Sequence, residues 1–438
     1  MKKLLALLSI SCFAYSAIAS TLEPTVVTTS ADTKIKLEGF FGFQAGYSNQ
    51  NKLKGSEKLL SDNKKKMAFY TEAAFFATIS QEFNDVTAGA KLVLQPTTKP
   101  KTSTSYNGSH IFLDTRHGKV EAGSPYDAGA KMRVTGYSIT AATGTNWSKY
   151  IKLNSENMKY NNQTPDLDSC DSFYMEDFSN RFDHSHDKTE AARKISYYTP
   201  KMEGFQAGIS YIPDTANTGG NLDINTNSGP LGFSKSKTGI TLVKLQENGI
   251  ATKTFRINQN VKDGISAAIS YEHQLTDEFA VKVAVSGEYG KAARKMVEMN
   301  PAETKILAEY KLSDLKAYNL GAILTYGNFS CAASYGSLGK SLTSKEYHKV
   351  GRDTRYYNGA IAYGQGPIKT SLSYFKSSKY KNTVDTVSLG TEYKITPGLL
   401  PYAEIAYVTV KGKPVYYTEA PNKKTRGTVA LLGAKLKF

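Results

Sequence analysis

The stretch TVALLGAKLKF, Thr428 to Phe438, decides the architecture. Thr428, Ala430, Leu432, Ala434, Leu436 and Phe438 share one parity, and Lys435 and Lys437 fall on the other. Alternation of period two marks a strand with one apolar and one wet face. A strand that ends on an aromatic residue suits the closing strand of a barrel, lipid on one side and water on the other.

The opposite end predicts how such a strand reaches a membrane. Lys2 and Lys3 precede an apolar run from Leu4 to Tyr15, and Ala17-Ile18-Ala19 has the small-residue pattern of a cleavage site before Ser20. Residues 1–19 read as an export signal, residues 20–33 as a short periplasmic segment too small for a plug, and residues 34–438 as the barrel. The apolar run is too short to cross about 30 Å of hydrocarbon as a helix. No later stretch is apolar over a helical span, and 29 Tyr and 19 Phe against a single Trp suit interfacial girdles. With Cys12 in the signal, Cys170 and Cys331 are too few for a disulfide framework and read as unpaired thiols.

The formal charge of +16 falls to +14 when Lys2 and Lys3 leave with the signal. No helix-turn-helix, finger or RNA-binding motif accompanies it, so nucleic acid is not an expected partner. The excess fits contact with the phosphates of outer-membrane lipids and lipopolysaccharide, or a bias of the pore towards anions.

Alternating segments recur along the chain: Ile35–Tyr47, Met67–Ile79, Val86–Leu94, Ser109–Thr115, Lys119–Gly123, Arg193–Thr199 and Phe205–Ile212 in the first half. Gly264–His273, Phe279–Tyr289, Ala317–Tyr326, Phe329–Gly336, Tyr356–Tyr363, Ile368–Ser377, Val384–Tyr393 and Leu399–Val410 follow before the closing strand. Short Gly, Asn, Asp and Pro turns alternate with long polar connections, of which Ser124 to Ala192 is the longest, as in transmembrane barrels. The expected fold is therefore all-β, a transmembrane antiparallel barrel of about sixteen strands whose lumen is too wide for side chains to fill. GITLVKLQ and IATKTFRI, around Glu247-Asn248-Gly249, would raise the count to eighteen. Lys253 shares the parity of Ala251, Phe255 and Ile257, and a lysine facing mid-bilayer costs about 2–4 kcal/mol, so an extracellular hairpin is preferred.

Four stretches carry a resemblance: IKLEGFFGFQAGYS after the signal, GKVEAGSPYDAG leading into the third long loop, KISYYTPKMEGFQAGISYIPD after it, and the terminal Phe438. In these the chain resembles the general diffusion porins of Gram-negative bacteria. The resemblance implies a sixteen-stranded homotrimeric barrel in the outer membrane, passive to small hydrophilic solutes and ions and without a cofactor. It implies that Phe438 belongs to the signal read by the barrel-assembly machinery. It also implies that residues 124–192 fold into the pore as a constriction loop, entered through Pro125, Tyr126, Asp127, Ala128 and Gly129, with loop acids facing basic wall residues.

Parity places Lys36, Lys91, Lys119, Lys194, Lys282 and Lys369 on the lumen face, with Arg193 beside them. Glu38, Glu72, Asp114, Glu121, Glu272, Glu288, Glu392 and Glu404 share that face, so the wall is mixed in charge. Each also reads as a charge merely solvated inside a wide barrel. Asp127 is the loop acid nearest a strand, followed by Asp166, Asp168, Asp171, Glu176 and Asp177, which equally suit a solvated excursion outside the pore. His184 and His186 offer two metal ligands without further ligands at defined spacing, so no metal site is expected. Neither His110 nor His117 has a local Ser and acid for catalysis, and the chain does not read as an enzyme. Two other readings stay open: a solute-specific anion channel, and a surface adhesin acting through its long loops.

Overall fold

In hydrocarbon no water is available to backbone N–H and C=O groups, so strands persist there only in a sheet without edges. The computed structural model describes residues 25–30, 33–51, 66–94, 108–151, 192–215, 240–247, 250–258, 260–293, 296–300, 305–342, 354–379, 382–412 and 423–438. Its strands are β1 (Thr25–Ser30), β2 (Thr33–Gln50), β3 (Met67–Phe83), β4 (Val86–Leu94), β5 (His110–Thr115), β6 (Gly118–Gly123) and β7 (Lys194–Tyr198). They continue as β8 (Phe205–Asp214), β9 (Ile240–Glu247), β10 (Ile250–Asn258), β11 (Val261–Gln274), β12 (Phe279–Ala292), β13 (Met296–Met299) and β14 (Ile306–Tyr310). The last are β15 (Leu315–Tyr326), β16 (Phe329–Gly339), β17 (Thr354–Gln365), β18 (Ile368–Lys379), β19 (Asn382–Tyr393), β20 (Leu399–Gly412) and β21 (Lys423–Lys437).

Strands β2–β8, β11, β12 and β15–β21 pair antiparallel and close through β2 and β21 into a barrel of 16 strands. The seam runs to the last residue: Gly39 N donates to Phe438 O at 2.8 Å, and Phe438 N to Gly39 O at 3.1 Å. Among the described residues no helix is long and apolar enough to cross a membrane.

The outer face carries the apolar parity read from the sequence. Phe41, Phe43, Val285, Leu320, Leu324, Ile361, Leu432 and Leu436 are exposed there, as is the thiol-bearing Cys331. Aromatic rings gather at strand ends: Phe329 and Tyr363 meet at 4.7 Å near one rim, Tyr335 and Tyr357 at 5.1 Å near the other. Tyr318 and Tyr326 stand about 27 Å apart along β15, close to the height of an apolar band with a girdle at each edge.

The strand count of eighteen is excluded. β9 and β10 pair with each other, and β10 with β13, so that β14, β13, β10 and β9 form a separate 4-stranded sheet outside the wall. Two long connections thus share one sheet, a pairing that local patterning does not reveal. Within the segment expected as a tail, Thr25–Ser30 forms β1, which pairs with Thr33–Leu37 of β2. It occupies the edge of β2 just below the point where β21 ends, extending the seam past the C-terminus. Residues 1–24 lie outside the described residues.

A Cβ at Gly39 would stand 2.6 Å from the Phe438 ring and 2.8 Å from the Ala74 carbonyl oxygen. Gly39→Ala is expected to weaken closure by about 1–3 kcal/mol, because backbone and ring must shift together. Urea unfolding in detergent micelles, followed by the heat-dependent gel shift of the folded barrel, checks this.

Candidate functional site

The described part of the third loop coats the inner wall. Its helix α1 (Ala128–Met132) lies against β7, β8, β11 and β12, the turn Gly136–Ile139 against β15–β18, and the turn Asn146–Tyr150 against β2 and β21. Small inner-face residues make the room. Gly208 faces the Met132 sulfur, Gly321 the Val134 backbone, Gly390 the Ala141 carbonyl, and Gly46 the Tyr150 ring. Ala284, Ala332 and Ala360 are buried with Val134 and Ile139.

Wall side chains satisfy the loop backbone, which buried in a barrel has no water to bond. A helix of five residues leaves its first N–H groups without intrahelical partners. Here Ala128 N donates to Ser210 Oγ at 2.8 Å, Gly129 N to Ser266 Oγ at 3.0 Å and Ala130 N to Asp127 Oδ1 at 3.2 Å. Ser196, Ser210 and Ser266 are lateral neighbours on β7, β8 and β11, a polar ladder under the helix.

Further along, Ala142 and Gly144 take positive φ of 61° and 69°, which turns successive N–H groups outward as an anion-binding concavity. Glu404 fills it, accepting from Thr143 N at 3.1 Å, Gly144 N at 3.0 Å and Thr143 Oγ1 at 2.5 Å, while Ser388 Oγ donates to its other oxygen at 2.8 Å. Glu392 accepts from Ala142 N at 3.1 Å. Gln44 takes donors from Asn146 and Tyr402 and gives its amide to Tyr150, and Trp147, fully buried, donates to Gly144 O at 3.1 Å.

The arc of wall from the lower part of β2 through β6 is bounded by the loop on both sides. Lys149 stands 3.9 Å from the centre of the Tyr70 ring at one edge, and Lys131 of α1 pairs with Glu121 at the other. A lateral row of inner-face positions crosses it, Lys36, Thr78, Lys91, His110, Gly123 and Lys194. Lys36 pairs with Glu38 at 2.7 Å, and Glu121 has Lys119 at 3.2 Å and His110 at 3.7 Å. Lys91 lies over Phe76 at 5.0 Å, a cation–π contact that holds the ammonium without cancelling it, and Lys119 lies over Phe112 at 4.7 Å in addition to its contact with Glu121. Glu72 lies on the same face, opposite Gly42.

Several expected pore residues have other duties. Asp127 is fully buried and caps α1 while accepting from Ser266, so it holds the loop to the wall and presents no charge to a lumen. Lys194 is buried and donates to the carbonyls of Pro125 at 2.8 Å and Ala192 at 2.6 Å, tying the two ends of the loop together. Asp114 is exposed beside the Thr115–Gly118 turn at the short-turn rim, and Lys282 pairs there with Glu272 at 3.4 Å. Arg193 lies just ahead of β7, and Lys369 donates to Thr140 O at 3.5 Å. The loop acids from Asp166 to Asp177, and His184 and His186, lie outside the described residues. Lys131 was missed because its partner is known only once α1 is docked. The run of Gly, Ala and Ser at inner parity on β8 to β19 was a readable sign of the packed loop.

Glu404→Ala is expected to loosen residues 141–151 by about 2–3 kcal/mol, since two amides and a hydroxyl lose a charged acceptor. Hydrogen exchange by mass spectrometry would show this as roughly hundredfold faster exchange of that segment with wall strands unchanged.

Some known proteins resemble this chain in sequence and others in fold. It is 60% identical over 444 residues to an uncharacterized protein of Rickettsia conorii and 61% identical over 445 residues to one of Rickettsia felis, each match covering 100% of both chains. The anion-selective porin of Comamonas acidovorans superposes with a TM-score of 0.53 at 12% identity, over 93% of this chain and 100% of that one. An engineered Rh. blastica porin does so with a TM-score of 0.50 at 13% identity, over 92% and 100%. The sequence model of the Gram-negative porins matches residues 5–413, and with the closed barrel and its inward loop this chain belongs to the Gram-negative porin family.

Proposed function

We propose that this outer-membrane barrel is a passive, water-filled channel for small hydrophilic solutes and ions, with a preference for anions. The observation that supports this is the unequal fate of charges on the inner face. Glu404 and Glu392 are engaged by loop amides, Glu121 by Lys119 and Lys131, and Glu38 by Lys36. Lys91 instead lies over a ring, and Lys369 and Lys435 donate to the carbonyls of Thr140 and Ala142, contacts that leave their positive charge in place. A pore selects by the field of the charges that line it, so the balance favours anions. The anion-selective description of the Comamonas porin agrees in direction, although at that identity the fold alone is shared.

Three copies meet, in this reading, on the low side of the wall. β5, β6 and β7 have 6, 6 and 5 residues, short of the roughly 9–11 that span a bilayer, beside β2 and β3 with 18 and 17. Backbone left open above short strands needs a protein neighbour rather than lipid. The exposed Phe69, stacked on Phe43 at 5.7 Å, would border such a contact. Residues 1–19 act as the export signal, the barrel-assembly machinery reads the strand ending at Phe438, and surface lysines contact lipopolysaccharide. A second reading, a surface adhesin, draws support from the separate four-stranded sheet built by two loops.

Protein extracted from outer membranes is expected to give single-channel steps in groups of three, with a reversal potential of anion-selective sign in a salt gradient. Folded protein that stays silent in the bilayer would move the function to the loops.

A further inference from the structure

Lys131 stands in the last turn of α1, and its ammonium pairs with Glu121 on β6. The Glu121 side chain is 2% exposed, with Lys119 at 3.2 Å and the His110 ring at 3.7 Å as further neighbours. Such a carboxylate repels anions only to the extent that its neighbours leave it uncancelled. The arrangement inverts the one the resemblance implies: here the loop carries the base and the wall carries the acid.

We propose that Lys131 is a specificity-determining residue of the channel, cancelling Glu121 so that the ammoniums of Lys91 and Lys119 set the sign of the field along the arc that the described part of the loop leaves open. The inference rests on the channel reading above and deepens it, assigning the ion preference to one loop side chain. Its ligands are small anions, attracted to that arc and drawn from the external solution.

The pair has a built-in test. Burial pushes the Lys131 ammonium down to about 8, with Glu121 opposing the shift. Facing it are Glu121 and Lys119 on β6, His110 on β5 and Lys91 on β4, with the Tyr198 ring of β7 at 5.0 Å. Lys194 on β7, Glu288 on β12 and the capping Asp127 are the buried charged groups on the elements packed against α1, while Lys282 pairs with Glu272 and Lys291 with Asp263 towards the strand ends. Carboxylates are already ionised and imidazoles already neutral in the alkaline range. As pH rises through about 8, Lys131 loses its proton, Glu121 keeps Lys119 as its partner, and the arc loses one positive charge. Anion preference is therefore full below that pH and weaker above it.

Reversal potentials in a potassium chloride gradient, recorded on the full folded protein at about pH 6 and about pH 9.5, decide the matter. The anion-to-cation permeability ratio of the wild type is expected to fall by about threefold, the effect of removing one unit charge several ångströms away across screened water. Lys131→Met gives the low ratio at both pH values, and Lys131→Arg keeps the high ratio at both, because a guanidinium stays charged. A flat wild-type profile, or Lys131→Met matching the wild type at pH 6, overturns the assignment while leaving the channel reading intact. If Lys131→Met does not fold, the wild-type profile and Lys131→Arg still decide. Folded wild-type protein that carries no current overturns the channel reading itself, and this assignment with it.

Discussion

The hydrogen-bonded seam between β2 and β21 is the constraint on which the rest of this protein depends. A strand edge in hydrocarbon leaves several backbone groups unpaired at several kcal/mol each, so the sheet either closes or does not span. Gly39 and Phe438 exchange the last pair of bonds in the seam, and the missing side chain at Gly39 leaves room for the terminal ring. β1 then continues the same edge of β2 beyond the C-terminus, covering backbone that β21 is too short to reach.

Closure at this strand number creates a second problem, an interior too wide for side chains to fill. The third loop answers it for more than half of the circumference. Its backbone, removed from bulk water, draws its hydrogen bonds from wall side chains, serines under α1 and carboxylates under Ala142 to Gly144. Charges spent in this way are withdrawn from the lumen. The mixed wall of the sequence thereby becomes an uneven one, with Glu38, Glu121, Glu392 and Glu404 held by amides or ammoniums and several lysines held by rings and carbonyls.

Exposure and parity were legible in the sequence because they are local. The apolar alternation of Phe41, Phe43, Leu432 and Leu436, the turns and the terminal aromatic residue follow from a period of two against a lipid face. The preference for a hairpin at Glu247-Asn248-Gly249 also rested on one local cost, a lysine at lipid parity. Partners, by contrast, were not legible. Asp127 looks like a pore acid in sequence and is a buried helix cap in space, and Lys194 looks like a pore base and is a clasp between loop ends.

By itself, then, the chain determined that it forms an antiparallel barrel of about sixteen strands, which face of each strand meets lipid, and which connection is long enough to enter the lumen. Hydrophobic patterning is read residue by residue, so no folded context is needed for it. Only the tertiary structure decided which inner-face charges the loop engages, that Lys131 meets Glu121, and that β9, β10, β13 and β14 leave the wall for a sheet of their own. Those outcomes depend on groups far apart in sequence, and the energy of a charge is set by what stands within a few ångströms of it.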